Sequence, residues 1–303
     1  MCRYRSNFPY FYIVNTKSGE TYRKCTSITI IMKVIDMITE KEFIRIVNYV
    51  KKNFGIELSQ KKTLITGRLD NYLSRNGYDS YTKLMDCVEK NPNGNEARDL
   101  IDNLTTNHTY FMREVEHFQF LKDVVLPEVK KSLSGTKDLR TWCAAASTGE
   151  EPYTLAMIMK DFFSLEDVKW DTTVLATDIS TKVLEFATEG KYLKEQIEPL
   201  PDTWKRRFFK SINNEECRVT EELKKEVVFR KFNLMDPLPF KQRLHIVFIR
   251  NVMIYFDEET KIDLVNRIYD MLVPGGYMFI GTTEAIDKSK TKFQYVRPSV
   301  YRK

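Results

Sequence analysis

With 303 residues, 42% apolar and 13% aromatic, the chain is long enough to bury a sizeable core in two domains; its net charge of +6 is thin for a dedicated nucleic-acid binder. The five cysteines (Cys2, Cys25, Cys87, Cys143, Cys217) are scattered and never in CxxC spacing, and the histidines (His108, His117, His245) are dispersed. That argues for reduced cytosolic thiols and against a disulfide framework, a zinc site or a membrane span, since no apolar run is long enough for the last.

Residues 1–31 mix aromatics, basic residues and Ser/Thr without a stable period, and they lack the apolar core and cleavage site of a signal peptide. They read as an extension outside the functional protein, with Met32 as a plausible start. From 39 to 108 the signals are helical. Phe43, Ile44, Ile46, Val47 and Val50 repeat at helical spacing before Gly55. A second helix over 61–75 sets Leu64, Ile65, Leu69 and Leu73 on one side and Lys61, Lys62, Arg68 and Arg75 away from it, and Gly77 ends it. That basic face is either solvated or a docking surface for an acidic partner. Two more helices follow over 81–88 and 96–104, around the turn Asn91-Pro92-Asn93-Gly94. Residues 32–108 thus form a helical domain.

The stretch 139–159, LRTWCAAASTGEEPYTLAMIM, organises the rest. A short apolar run passes through the small residues Ala146, Ser147, Thr148 and Gly149 into a helix whose first turn holds Glu150, Glu151 and Pro152. This is either an ordinary strand-to-helix junction or the nucleotide-binding corner of an open α/β sheet, where small residues let a ligand approach the backbone. A second strand, 174–178, ends in Asp178, which suits a ribose-binding acid and equally a helix N-cap. The polar region after it carries two strand-like runs, 217–220 and 226–230, read as an inserted hairpin or small sheet, while 229–233 reads as the end of the next core strand, with Leu234 and Met235 following it. Strands over 245–249 and 277–281 flank a helix over 257–272 that Pro274, Gly275 and Gly276 stop, and 293–296 with 300–301 form a terminal hairpin. The alternation gives a mostly parallel sheet with an antiparallel end.

Residues 39–303 resemble the chemotaxis-receptor glutamate methyltransferases, the CheR family. The resemblance rests on LTTNHTYFMRE at 104–114, AAASTGEEPY at 144–153, ATDI at 176–179, FNL at 232–234 and RNVMIYF at 250–256, in that order. It implies a Rossmann-like class I methyltransferase sheet over 109–303, with a small antiparallel β-subdomain inserted at about 192–229, behind an all-helical domain. It also implies transfer of a methyl group from S-adenosylmethionine to glutamate side chains on a receptor's cytoplasmic helices. By position, Asn107, Thr109 and Arg113 resemble residues at the cofactor's methionine end or at the methyl. Glu151 resembles a cofactor contact, Asp178 the ribose acid, Asn233 with Leu234 the adenine-side pair, and Arg250 with Asn251 further contacts. Tyr255 projects toward the reacting groups, and with Arg113 it is the expected catalytic pair. Each has a bland alternative: Arg250 could end a strand in solvent, and Tyr255 could be a core aromatic.

The chemistry agrees with this inventory, because an ionised glutamate attacking a sulfonium methyl needs alignment and removal of water, not a strong base. His245 and Ile249 stand where the family commonly has an acid and a cysteine. The loop 211–216 lacks the glycines with which some members bind a receptor-tail peptide, so no such tether is expected. Two rivals stay open: a methyltransferase of nucleic acid or a small molecule, which an absent Asn/Asp-Pro-Pro-Tyr/Phe motif disfavours, and a non-catalytic cofactor-binding regulator. A cytoplasmic monomer that binds neither nucleic acid nor membrane is the expectation.

Overall fold

The computed structural model describes residues 38–303, so the reading of residues 1–31 as an extension, and of Met32 as the start, lies outside the described residues. Helix α1 (Glu40–Phe54) opens on a capping box, in which Thr39 Oγ1 accepts from the Glu42 amide while the Glu42 carboxylate accepts from the Thr39 amide. Gly55, at φ 70°, ends it in the left-handed conformation that glycine adopts without strain. Helices α2 (Lys62–Asn76), α3 (Tyr81–Lys90) and α4 (Asn95–Leu104) follow the predicted periods. Their apolar stripes, including Ile65, Leu69, Leu73, Leu84 and Leu100, are fully buried.

After α4 the chain enters α5 (Val115–Phe120), passes a π-helical turn (Leu121–Val125) and continues as α6 (Leu126–Ser132). Then come β1 (Thr141–Cys143), α7 (Glu150–Phe162), β2 (Val174–Asp178) and α8 (Thr181–Glu189). A small antiparallel sheet of β3 (Lys191–Leu193), β4 (Phe209–Ser211) and β5 (Glu216–Val219) encloses α9 (Asp202–Phe208) in sequence. The short α10 (Glu221–Lys224) leads to β6 (Val227–Lys231), β7 (Leu244–Ile249), α11 (Glu258–Met271), β8 (Leu272–Ile280), β9 (Gln294–Arg297) and β10 (Val300–Arg302).

The main sheet has seven strands in the order β6-β2-β1-β7-β8-β10-β9. The first five run parallel, and β10 and β9 close it antiparallel. From β1 the chain works outward through β2 to β6, then returns to place β7 on the other side of β1. That reversal opens a crevice at the carboxyl ends of β1 and β7, where open α/β sheets bind ligands. One core joins α1–α4 and α11 to one side of the sheet through Trp142, Val247, Ile249 and Met278. A second joins α5–α7 and the small sheet to the other side through Cys143, Phe248 and Phe279.

Two sequence readings need correction. The runs 217–220 and 226–230 do not pair: the small sheet ends at Val219, whereas Val227–Lys231 pairs in parallel with Val174–Asp178 in the main sheet, in line with the reading of 229–233 as the end of a core strand. Alternation marks a strand but carries no record of which sheet it joins. Strand β8 also begins at Leu272 and not at the expected 277, directly after the helix ends at Met271, so Pro274, Gly275 and Gly276 lie within it, Gly275 at a left-handed φ of 81°. Proline is tolerated there because the pairing with β7 is irregular between Leu244 and Ile246.

Candidate active site

A cavity of about 580 Å³ opens at the carboxyl ends of β1, β2 and β7. The segment between α4 and α5 brings Asn107, Thr109 and Arg113 to it, the first turn of α7 brings Glu151, and the end of β2 brings Asp178. Asn233 and Leu234 follow β6, Arg250 and Asn251 follow β7, and Tyr255 ends the 3₁₀ turn Met253–Tyr255. Every residue expected at the cofactor or the reacting groups therefore lines one cavity.

The corner after β1 is built by backbone pairing. The Ala144 amide donates to Phe248 O at 2.8 Å and the Ala146 amide to Thr177 O at 2.9 Å. Ala144, Ala145 and Ser147 line the cavity, and Ser147 takes a left-handed φ of 47°. Gly149 serves packing instead. At φ 99°, a Cβ there would meet Tyr192 Oη at 2.8 Å and Ala187 Cβ at 2.9 Å, so the small residue fits the corner against α8 and β3. Asp178 is buried, and each carboxylate oxygen takes one backbone N–H: Oδ2 from Ser147 at 2.8 Å and Oδ1 from Ser180 at 3.0 Å. The N-cap of α8 is Ser180, whose Oγ accepts from the Val183 amide, so Asp178 is not needed as the cap. Burial pushes its carboxyl up from the ordinary range, against the pull of those amides.

Arg250 does not end its strand in solvent; it is 4% exposed. Its Nη1 donates to Glu151 Oε2 at 2.6 Å, while Nη2 pairs with Glu114 Oε2 at 3.0 Å and donates to the Arg113 carbonyl. The guanidinium lies 5.3 Å from the Phe118 ring centroid, and its buried Nε–H has no protein partner. Cys143 Sγ donates to the other Glu151 oxygen. Glu114, which sequence reasoning did not assign, also accepts from Asn251 Nδ2 at 3.2 Å and the Thr282 amide at 3.1 Å. Burial pushes the Glu114 carboxyl up, but Arg250 and Asn251 outweigh it and hold it below the usual range. Met112 (φ 61°) and Glu114 (φ 58°) are both left-handed, so Arg113 sits between two unfavourable backbone conformations that this network anchors. Burial and the neighbouring Arg250 depress His117 to about 4, so it stands neutral beside Glu114 at physiological pH.

Two further groups were missed. Glu284, 8% exposed, accepts from the amides of Gly281 at 2.6 Å, Asn251 at 2.9 Å and Ile254 at 3.2 Å, and so shapes the turn that presents Tyr255. The linker between α1 and α2 forms a wall of the cavity through Phe54, Ile56, Glu57, Leu58 and Lys61. Ile56 bridges Phe256, the Glu57 amide donates to Tyr255 O at 2.8 Å, and Asn233 Nδ2 donates to Asn53 O at 2.8 Å. No single-sequence signal marks Glu284; the Gly55 stop followed by Ile56 and Leu58 is the one hint of the linker. Among the described residues no metal-binding cluster occurs, and no helix is long and apolar enough to cross a membrane.

Comparison with known proteins agrees with this arrangement. Residues 41–105 match the model for the CheR methyltransferase all-alpha domain, and residues 107–302 that for the CheR methyltransferase SAM binding domain. A chemotaxis protein methyltransferase of Borreliella burgdorferi is 40% identical, over 88% of this chain and 95% of its own. Those of Salmonella typhimurium and Escherichia coli are each 34% identical, over 91% and 87% of this chain and 94% and 91% of their own. A fold with its crevice at the reversal of strand order, the residues gathered there and these matches make one conclusion: the chain belongs to the CheR methyltransferase family, whose larger domain binds S-adenosylmethionine.

Proposed function

We propose that the cavity transfers a methyl group from S-adenosylmethionine to glutamate side-chain carboxylates on the cytoplasmic helices of chemotaxis receptors, leaving glutamate methyl esters and S-adenosylhomocysteine. The observation that carries this reading is the buried Asp178 carboxylate, facing the same cavity as Arg113, Tyr255 and the unpartnered Nε–H of Arg250.

The residues fit the cofactor group by group. Asp178 presents a carboxylate acceptor at the cavity for a ribose hydroxyl. The Arg250 Nε–H lacks an acceptor, and the Arg113 guanidinium makes one hydrogen bond, from Nη1 to His108 O at 2.8 Å, leaving donors for a carboxylate. Glu151 supplies negative charge for an ammonium group, and Ile179, Phe232 and Leu234 offer an apolar wall for a base. Asn233 spends one donor on Asn53 and one acceptor on the Met235 amide, so its side chain also ties the helical domain to the cavity.

When bound, S-adenosylmethionine supplies a methyl group on a sulfonium, which an ionised carboxylate attacks directly. Glutamate is ionised at neutral pH, so this chain has no proton to remove. Its residues align the carboxylate and exclude water. Arg113 orients the carboxylate with a planar fork, while the Tyr255 hydroxyl adds one hydrogen bond. Holding it harder would lower its nucleophilicity. Turnover on receptor-containing membranes tests these roles: Arg113→Ala should lose about a hundredfold and Tyr255→Phe about tenfold. Near-normal turnover by the arginine variant would overturn the assignment.

Methylation without a receptor-tail tether is part of the proposal. The β4–β5 turn is glycine-free and filled by Asn213, whose Oδ1 accepts from the Glu215 and Glu216 amides at 2.8 Å. Binding of a receptor-tail peptide to the protein would contradict it.

A further inference from the structure

Arg68 belongs to the basic face of α2, which the sequence offers as solvated or as a docking surface. Its guanidinium is engaged elsewhere. Nη1 donates to Leu104 O at 2.9 Å and Thr105 O at 2.8 Å, with Asn103 O at 3.3 Å, and Nη2 donates to Thr106 Oγ1 at 2.9 Å. These acceptors are the carboxyl end of α4 and the first residues beyond it.

That end needs help. A helix leaves its last carbonyls without intrahelical partners and carries partial negative charge there. Helix α4 has no basic residue in its last turn, and its C-cap is Thr105 in an extended conformation (φ −77°, ψ 150°), so the left-handed glycine motif that commonly satisfies those carbonyls is missing. Arg68 supplies both the donors and the charge from a neighbouring helix. The segment it grips runs straight into the cavity: Thr105, Thr106, Asn107 and Thr109 line it, and Asn107 O accepts from Ser147 Oγ at 2.8 Å, joining the segment to the corner after β1.

We propose that Arg68 is a positioning residue for the methyl-donor site, holding the 105–109 segment in its binding conformation, rather than a receptor-docking charge. This rests on the cavity being the S-adenosylmethionine site. A lysine keeps the charge but lacks the planar fork that spans several acceptors, so the two roles separate in Arg68→Lys.

The test is calorimetric titration of the full chain with S-adenosylhomocysteine, with no receptor present, alongside KM for each substrate. Arg68→Lys and Arg68→Ala should bind about tenfold more weakly and raise KM for S-adenosylmethionine, while KM for receptor stays unchanged. Arg75→Ala, on the same helix but with no hydrogen bond to this segment, should keep wild-type cofactor affinity. If Arg68→Ala does not fold, Arg68→Lys decides. Wild-type affinity in Arg68→Lys, with a raised KM for receptor alone, would overturn the inference and return Arg68 to docking. Wild-type protein that binds no S-adenosylhomocysteine would instead overturn the site itself.

Discussion

Replacing Asp178 by asparagine probes the proposed site most economically, because the shape is kept while the acceptor set changes. The carboxylate takes the Ser147 amide on one oxygen and the Ser180 amide on the other, at 2.8 and 3.0 Å. An asparagine has one oxygen, so its NH₂ must face one of those N–H groups. A buried donor left unpaired costs about 1–3 kcal/mol. Removing a charge that burial already disfavours offsets part of that cost in the free protein, so the loss of stability should be small. Nothing offsets the loss at the ligand. A ribose diol would exchange two bonds to a carboxylate for one to a neutral oxygen, a loss of about 3 kcal/mol or roughly 150-fold in affinity. Calorimetric titration with S-adenosylhomocysteine reads this directly, with a thermal melt to show that the variant is folded. A folded Asp178→Asn protein binding within about threefold of wild type would refute the ribose role and leave Asp178 as a brace for the corner.

Other consequences are equally specific. Glu284→Gln exchanges an acceptor of three backbone amides for a group with one oxygen; turnover should fall about tenfold with little change in cofactor affinity, because the Asn251–Tyr255 turn loosens. Unchanged turnover would show that the turn holds itself. Gly149→Ala forces a Cβ against Tyr192 and Ala187 at a φ of 99° and should destabilise the fold by about 2–3 kcal/mol in denaturant unfolding; a neutral result would mean the corner can shift. Lys51, whose own titration is raised by its partners, pairs with Glu57 at 2.8 Å and Asp257 at 3.0 Å, fastening the α1–α2 linker to the start of α11. Lys51 and the Ser59 amide and hydroxyl hold Glu57 at about 2; the Thr260 amide and hydroxyl, with Lys51, hold Asp257 at about 2. Folded values below the unfolded ones mean a stabilisation present above about pH 4 and lost as pH falls toward 2. Melting temperatures of wild type and Lys51→Met should therefore differ near neutral pH and converge in acid; a gap that persists at pH 2 would contradict the pairing.

The helices and strands were legible because their apolar residues recur at the right period, and the helix stops Gly55 and Gly77 stand where the sequence puts them, whereas the cap of α8 is Ser180 and not Asp178. Residues 229–233 were legible as the end of a core strand, but the assignment of 226–228 to that strand and not to the small sheet was not, since an apolar run suits either sheet. The cavity's composition was readable through motifs, whereas its wiring was not. Arg250 was expected as a direct cofactor contact, yet the structure commits both its Nη atoms to protein groups and leaves Nε. Glu114, Glu284 and the α1–α2 linker act through folding neighbours distant in sequence, and no local period announces such contacts. Arg68 shows the same blindness from the other side: charge on an amphipathic helix looks like surface until the helix packed against it is known.

The central claim is esterification of receptor glutamates, and the most direct measurement is transfer of radiolabelled methyl from S-adenosylmethionine to receptor-containing membranes, followed by mild alkali. Label should appear on receptor protein, and alkali should release it as volatile methanol, the signature of a carboxyl methyl ester. Alkali-stable label, label on nucleic acid, or tight cofactor binding with no transfer would contradict it.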